Sequence, residues 1–281
     1  MQLNLARYPA PIRIIIFLLL LLLIWLPLAV PIYLWVKDSD WVSILTMAGL
    51  YVEFIVLLRL WGKQVYADPN LLQRYGLILT RQNGLELLWG LGIGVTSLLA
   101  LFAIEGGLGW LFWAIPSQTL PWLIVEGLLV ALGVGFAEEL LFRGWLLDEL
   151  QRDYSLSLAL GANSALFAIA HFIRPLEAVR ETWPQFAGLV MLGLVLVWAK
   201  RATGYGEELG RLGLPVGLHG GLVWGYYLVN VGGWVTYSSQ VPEWVTGIDG
   251  NPLAGAMGLG CLGAIAIAMQ HAAQRAKIRS K

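Results

Sequence analysis

Charge is what this sequence has least of. Only 13% of its 281 residues are Asp, Glu, Lys or Arg, against roughly 25% in an ordinary soluble domain, too few to cover a water-soluble surface. The 18 acidic and 18 basic residues balance to a net charge of +0, which excludes the basic stripe that nucleic-acid binding requires. Cysteine is scarcer still. A single Cys261, set in an apolar stretch, excludes a disulfide framework and a thiolate metal cluster, and it reads as a small core residue. What fills the space is apolar. With 58% hydrophobic residues, 14 Trp and a mean hydropathy of +0.70, the composition is that of a chain whose solvent is lipid.

From Ile14 to Val36 the chain runs without a charge except at its flanks, long enough at about 1.5 Å per residue to cross a hydrocarbon core of about 30 Å. It lacks the short apolar region and small-residue cleavage site of a secretory leader, so it is expected to be an uncleaved anchor. Further apolar stretches near 41–61, 87–104, 120–142, 156–173, 185–199, 212–231 and 252–270 predict an all-α, polytopic bundle of about eight transmembrane helices. Between the second and third, Asp68 followed by Pro69 predicts an N-cap and first turn opening a short interfacial helix through about Arg74. Three regions are expected: N-terminal helices over 1–119 with that interfacial segment, a core over 120–231, and a loop, last helix and basic tail over 232–281.

Orientation follows from Lys and Arg in the short loops, which stay cytoplasmic. With eight crossings, Arg7 and Arg13, then Lys63, Arg74 and Arg81, then Arg152, then Lys200, Arg201 and Arg211, and finally Arg275, Lys277, Arg279 and Lys281 fall on one side. The loops around 105–119 and 232–251 hold no Lys or Arg, and Arg174 and Arg180 are the exceptions on that side. Both termini are therefore predicted to be cytoplasmic.

Ionisable residues inside spanning segments are costly and are functional candidates by default. Glu53 and Glu126 stand alone in their helices and read as structural. Glu138 and Glu139 are adjacent and followed by Arg143. On a helix Glu139 and Arg143 are i and i+4 with the acid first, the favourable order for an ion pair, while Glu138 is turned about 100° away and left without that partner. A partly dry carboxylate beside an anion has the environment of a general base. The next segment places Asn163, Phe167 and His171 on one face, and the seventh gives His219-Gly220-Gly221, where glycines permit close approach to the backbone. Of the three His in the chain, His271 sits beside basic residues and reads as exposed. The midpoint between Glu138 and His171 falls in the polar turn Asp153-Tyr154-Ser155, so an antiparallel hairpin brings the two to one depth, and His219 lies roughly 10 Å inside the start of its own helix. A site of this depth leaves Arg174, Glu177, Arg180 and Glu181 deep, unless the fifth helix is short or those charges line a wet cavity.

Glu-Glu-x-x-x-Arg at 138–143, Phe-x-x-x-His at 167–171 and His219, in this order and in membrane segments, resemble the CPBP intramembrane endopeptidase family, which includes the type II CAAX prenyl endopeptidases and bacterial immunity proteins. The resemblance covers roughly residues 120–231. It implies that Glu138 activates a water to attack a peptide carbonyl of a membrane-associated polypeptide, that Glu139 with Arg143 shapes the site, and that His171 and His219 hold the water and stabilise the oxyanion. The family continues with Asn or Asp four residues after the last His. Here that position is Val223, and Asn230 is about 16 Å from His219 along the helix, too far to replace it. The departure leaves a second reading open, a non-catalytic member acting as a membrane adaptor or bacteriocin-immunity protein. A catalytic zinc held by Glu138, His171 and His219, with Glu139 as base, is the alternative to a glutamate-activated water without metal, which is the favoured reading. The same two His on facing helices also suit a bis-His haem.

Overall fold

The computed structural model describes residues 5–115, 120–204 and 210–279. Lys281 of the basic tail and residues 116–119 of a loop read as free of Lys and Arg lie outside them. Helix α1 (Ala10–Trp35) and α2 (Ser39–Val65) pack as a hairpin, a single turn α3 (Leu71–Arg74) leads into α4 (Arg81–Gly107), and strand β1 (Leu111–Trp113) follows. Helix α5 (Leu120–Glu139) passes into a π-helical segment (Leu140–Leu146) and continues as α6 (Leu147–Asp153). After α7 (Leu156–Ala170) come α8 (Leu176–Thr182), one 3-10 turn and α9 (Phe186–Ala202), then α10 (Gly213–Asn230), strand β2 (Val235–Tyr237), α11 (Glu243–Thr246) and α12 (Ala256–Arg279).

Each of the eight apolar stretches lies on a helix: α1, α2, α4, α5, α7, α9, α10 or α12. Five helical runs among the described residues are long and apolar enough to cross a membrane, Ala10–Trp35, Ser39–Val65, Arg81–Gly107, Leu176–Ala202 and Ala256–Ile278. The chain is a multi-pass, helical membrane protein. Its large exposed apolar side chains, such as Leu19, Leu23 and Leu34 on α1, are what a lipid-facing surface requires.

One local expectation is corrected, and two further features of the connections emerge. Asp68 does not cap a helix; its Oδ1 accepts from the Asn70 amide at 2.8 Å in a turn, and α3 starts at Leu71 with Asn70 as its N-cap. The loop regions are not wholly irregular, because β1 pairs antiparallel with β2, Leu111 opposite Tyr237 and Trp113 opposite Val235, a pairing suited to aromatic and β-branched side chains. The charged stretch after His171 resolves simply: α7 is only 15 residues long, and Arg174, Glu177, Arg180 and Glu181 are exposed.

Glycine explains how α10 is held. A Cβ on Gly217 would stand 2.0 Å from the Leu87 carbonyl oxygen of α4, and one on Gly221 would stand 2.4 Å from that of Leu91. From the other side, Gly90 and Gly94 of α4 come as close to the Leu214 and Leu218 carbonyls. Small residues at i, i+4 let two backbones touch where lipid supplies no hydrophobic drive for helix association. On its other flank α10 meets α5, with Gly220 beside the Ala131 carbonyl. The two glycines after His219 therefore receive neighbouring helices.

A second device joins the N-terminal hairpin to α6. Arg13, read from sequence as an orienting charge, is buried; its Nε donates to Glu149 at 2.9 Å and its Nη1 lies 3.2 Å from Asp153. Glu149 also accepts from Trp61 Nε1 at 3.2 Å and from the Tyr66 hydroxyl at 2.6 Å. Burial and the Glu149 carboxylate raise the pKa of the Tyr66 phenol, so it remains a donor. Around this network, Phe17 packs on Trp145 of the π-helical segment at 4.4 Å between ring centroids.

Candidate active site

Glu138 and Glu139 end α5, and the backbone widens into π-helical geometry immediately after them. Such segments recur at functional sites because they re-aim side chains. Two buried side chains hold this one. Asn163 Nδ2 donates to the Phe142 carbonyl at 2.7 Å, and Lys200 Nζ donates to the Arg143 carbonyl at 2.6 Å. Lys200, read from sequence as an orienting charge at a helix end, is 1% exposed. Its only sequence signal was its place at the end of an apolar run.

The expected ion pair is present. Arg143 Nη1 donates to Glu139 Oε1 at 3.0 Å, with both side chains fully buried. The Arg143 guanidinium also stands 4.2 Å from the Phe167 ring centroid and donates to the Gly193 carbonyl at 3.3 Å. Glu139 Oε1 has a second donor, His219 Nδ1, at 2.9 Å. Because a carboxylate oxygen only accepts, that contact places a proton on His219 Nδ1 and turns Nε2 the other way.

His171 is oriented in the same fashion. It C-caps α7, its Nδ1 donates to the Phe167 carbonyl at 2.8 Å, and its ring packs against Phe167 at 4.6 Å between centroids. The free Nε2 atoms of the two histidines converge on one oxygen. His171 Nε2 lies 3.7 Å and His219 Nε2 3.9 Å from Glu138 Oε2. Both separations exceed a hydrogen bond. They suit three groups that share a small bridging molecule.

The three sequence motifs are thus brought together, with Glu138 facing the histidines and Glu139 behind them. Glu138 and His171 are 28% and 27% exposed in their side chains, whereas Glu139 is sealed. Glu138 is thus part-exposed while its Oε2, the oxygen that faces the histidines, is itself buried and without a hydrogen-bond partner, and Glu139 is closed to a reactant. His271 is exposed on α12, and Asn230 is committed to the Gly250 carbonyl at 3.4 Å, so neither joins the site. Val223 sits one turn beyond His219 and lines an apolar cavity there.

The zinc alternative does not fit the arrangement. Among the described residues no group of three or more His, Cys, Asp and Glu side chains is disposed to hold a metal ion. Glu139, its proposed base, is sealed, with its Oε1 taken by Arg143 and His219.

Residues 120–225 match the family model of the type II CAAX prenyl endopeptidases, Rce1-like. The chain carries an Rce1-like domain. The match begins with α5 and ends within α10, enclosing Glu138, Glu139, Arg143, His171 and His219. No curated protein and no solved structure matches the chain. The Rce1-like family consists of intramembrane endopeptidases. In this chain its domain is completed by a helix outside the matched residues, because α4 supplies the glycine face on which α10 rests.

Proposed function

We propose that the protein is an intramembrane endopeptidase that hydrolyses a peptide bond of a membrane-associated polypeptide, with Glu138 as general base. The observation that carries the reading is the convergence of His171 Nε2 and His219 Nε2 on Glu138 Oε2, each ring turned there by a hydrogen bond at its own Nδ1. A water among these groups gives a proton to Glu138 while its oxygen bonds to the substrate carbonyl carbon. One Nε2 accepts the remaining hydrogen of that water, and the other ring, carrying a proton taken from solvent before the attack and keeping it through the cycle, donates through Nε2–H to the oxyanion. The proton on Glu138 then passes to the amide nitrogen as the carbon–nitrogen bond breaks. Glu139 and Arg143 do not touch the reactants; they fix the tautomer of His219. The Lys and Arg of the loops support a site near the cytoplasmic face, with both termini cytoplasmic.

Val223 favours a second reading. It offers no donor where the related motif has Asn or Asp, as a non-catalytic membrane adaptor or immunity protein would allow. One experiment separates the two: full-length protein in liposomes is given a fluorogenic membrane-peptide library, alongside Glu138→Gln. Cleavage by the wild type and its loss in the variant is the expected result. Cleavage that survives in Glu138→Gln overturns the mechanism. An inert wild type that gains cleavage on Val223→Asn identifies the adaptor.

A further inference from the structure

One wall of His219 borders a half-open cavity of about 160 Å³ between α4, α9, α10, α12 and the turn at Asn251–Leu253. Its lining is apolar, with Leu98 and Leu101 from α4, Leu192 from α9, Val223 from α10 and Leu262 from α12. A cavity of this character and of roughly 150 Å³ stays dry and accepts benzene. It is well below the roughly 300–1,000 Å³ of sites for drug-sized ligands, so a long acyl or isoprenyl chain is too large for it. Its depth from the reacting groups is set by α10. Val223 is one helical turn, about 6 Å, beyond His219 on the same face, the reach of a single extended side chain.

We propose that this cavity is a specificity pocket, which takes one branched aliphatic or single-ring aromatic side chain of the substrate beside the scissile bond, with Val223 setting its depth. The proposal rests on the endopeptidase reading and deepens it. A valine at this position then has a use of its own. A polar side chain in its place would stand against the leucines of α4, α9 and α12, whereas Val lets the cavity desolvate a hydrocarbon group beside His219.

The test uses full-length protein in liposomes and a peptide series differing only at the residues flanking the cleaved bond, with Gly, Ala, Leu or Phe in turn. At one of these positions the wild type is expected to cleave Leu or Phe peptides roughly 10–200-fold faster than Gly, the range that small apolar differences give in a pocket. Val223→Phe fills the cavity and removes that preference, so that the ratio of the Leu and Phe rates to the Gly rate falls toward one. Leu101→Ala enlarges it and moves the preference toward Phe. A flat wild-type profile, or a preference unchanged in both variants, overturns the pocket. A wild type that cleaves nothing overturns the endopeptidase reading instead, and the pocket is then tested by binding. A peptide carrying photoreactive benzoylphenylalanine should label α4 or α12 near Leu101 and Leu262 in Glu138→Gln protein, and lose that labelling in the added presence of Val223→Phe. Labelling confined to other helices overturns the pocket independently of catalysis.

Discussion

The rod formed by α5, the π-helical segment and α6 carries two acid pairs of similar pattern, Glu138-Glu139 with Arg143 and Asp148-Glu149 with Arg152. In each, one acid meets an arginine four residues on, Glu139 with Arg143 at 3.0 Å and Asp148 with Arg152 at 2.8 Å. The difference lies in the other acid. Glu149 is sealed and its oxygens take donors from Arg13, Trp61 and Tyr66. Glu138 is 28% exposed, and its Oε2 has no hydrogen-bond donor from the protein, only two histidine nitrogens at longer range. A saturated buried carboxylate is a structural fastening, and a part-exposed one whose buried, donorless oxygen faces two imidazole nitrogens is a candidate for chemistry. The four-residue step from acid to arginine starts at the second acid of one pair and the first of the other, and the acid left over differs in its surroundings because the neighbouring helices differ.

The contrast breaks most visibly in exchange experiments. Glu138→Gln should lower the cleavage rate by at least the order of 10²–10⁴ that general-base catalysis supplies, with the thermal midpoint in detergent unchanged. Glu149→Ala should do the reverse. It leaves buried Arg13 with only the part-exposed Asp153 and strands the Trp61 and Tyr66 donors, a loss expected to approach the about 3–5 kcal/mol of a broken buried pair, yet the protein that remains folded should cleave at the wild-type rate per molecule. Loss of cleavage in folded Glu149→Ala protein would join the two acid pairs into one functional unit and end the distinction. Gly217→Ala is expected next in size. Its methyl group meets the Leu87 carbonyl, and such overpacking costs roughly 1–3 kcal/mol. It also moves α10 against Glu138, so stability and cleavage should fall together, unlike in either acid variant.

The same contrast marks what the sequence could reveal. Apolar run length placed all eight stretches on helices, and five helical runs among the described residues are long and apolar enough to cross a membrane, because lipid thickness constrains each run separately. The three motifs could be placed together because helical rise and the Asp153–Ser155 turn set the depths of Glu138 and His171. Nothing local distinguished Glu149 from Glu138, since the donors to Glu149 come from α1, from α2 and from Tyr66 just beyond it. Lys200 and Arg13 looked like topological charges for the same reason: loop counting registers a charge and not its partner. The π-helical segment was also hidden, as its register is held by Asn163 and Lys200 from two other helices. The strand pair joins Leu111–Trp113, in the loop after α4, to Val235–Tyr237, beyond α10 and far along the chain, and three-residue strands leave too little alternation to read.

The smallest expected effect tests the boundary of the structural fastening. Asp148 is buried between two arginines, Arg74 from α3 at 2.9 Å and Arg152 from its own helix at 2.8 Å, and Arg74 is 43% exposed. An exposed partner is screened and freely hydrated, so its pair typically contributes about 0.2–1 kcal/mol. Arg74→Gln leaves Arg152 in place, and Asp148 keeps a cation. The variant should therefore lose no more than about 1 kcal/mol, and the loss should shrink as salt is raised, because only the exposed pair is screened. Thermal midpoints of wild type and variant at low and high ionic strength measure both statements. A loss approaching that of Glu149→Ala, and independent of salt, would mean that α3 is part of the fastening, and that the network at Glu149 extends through Asp148 to the interfacial turn.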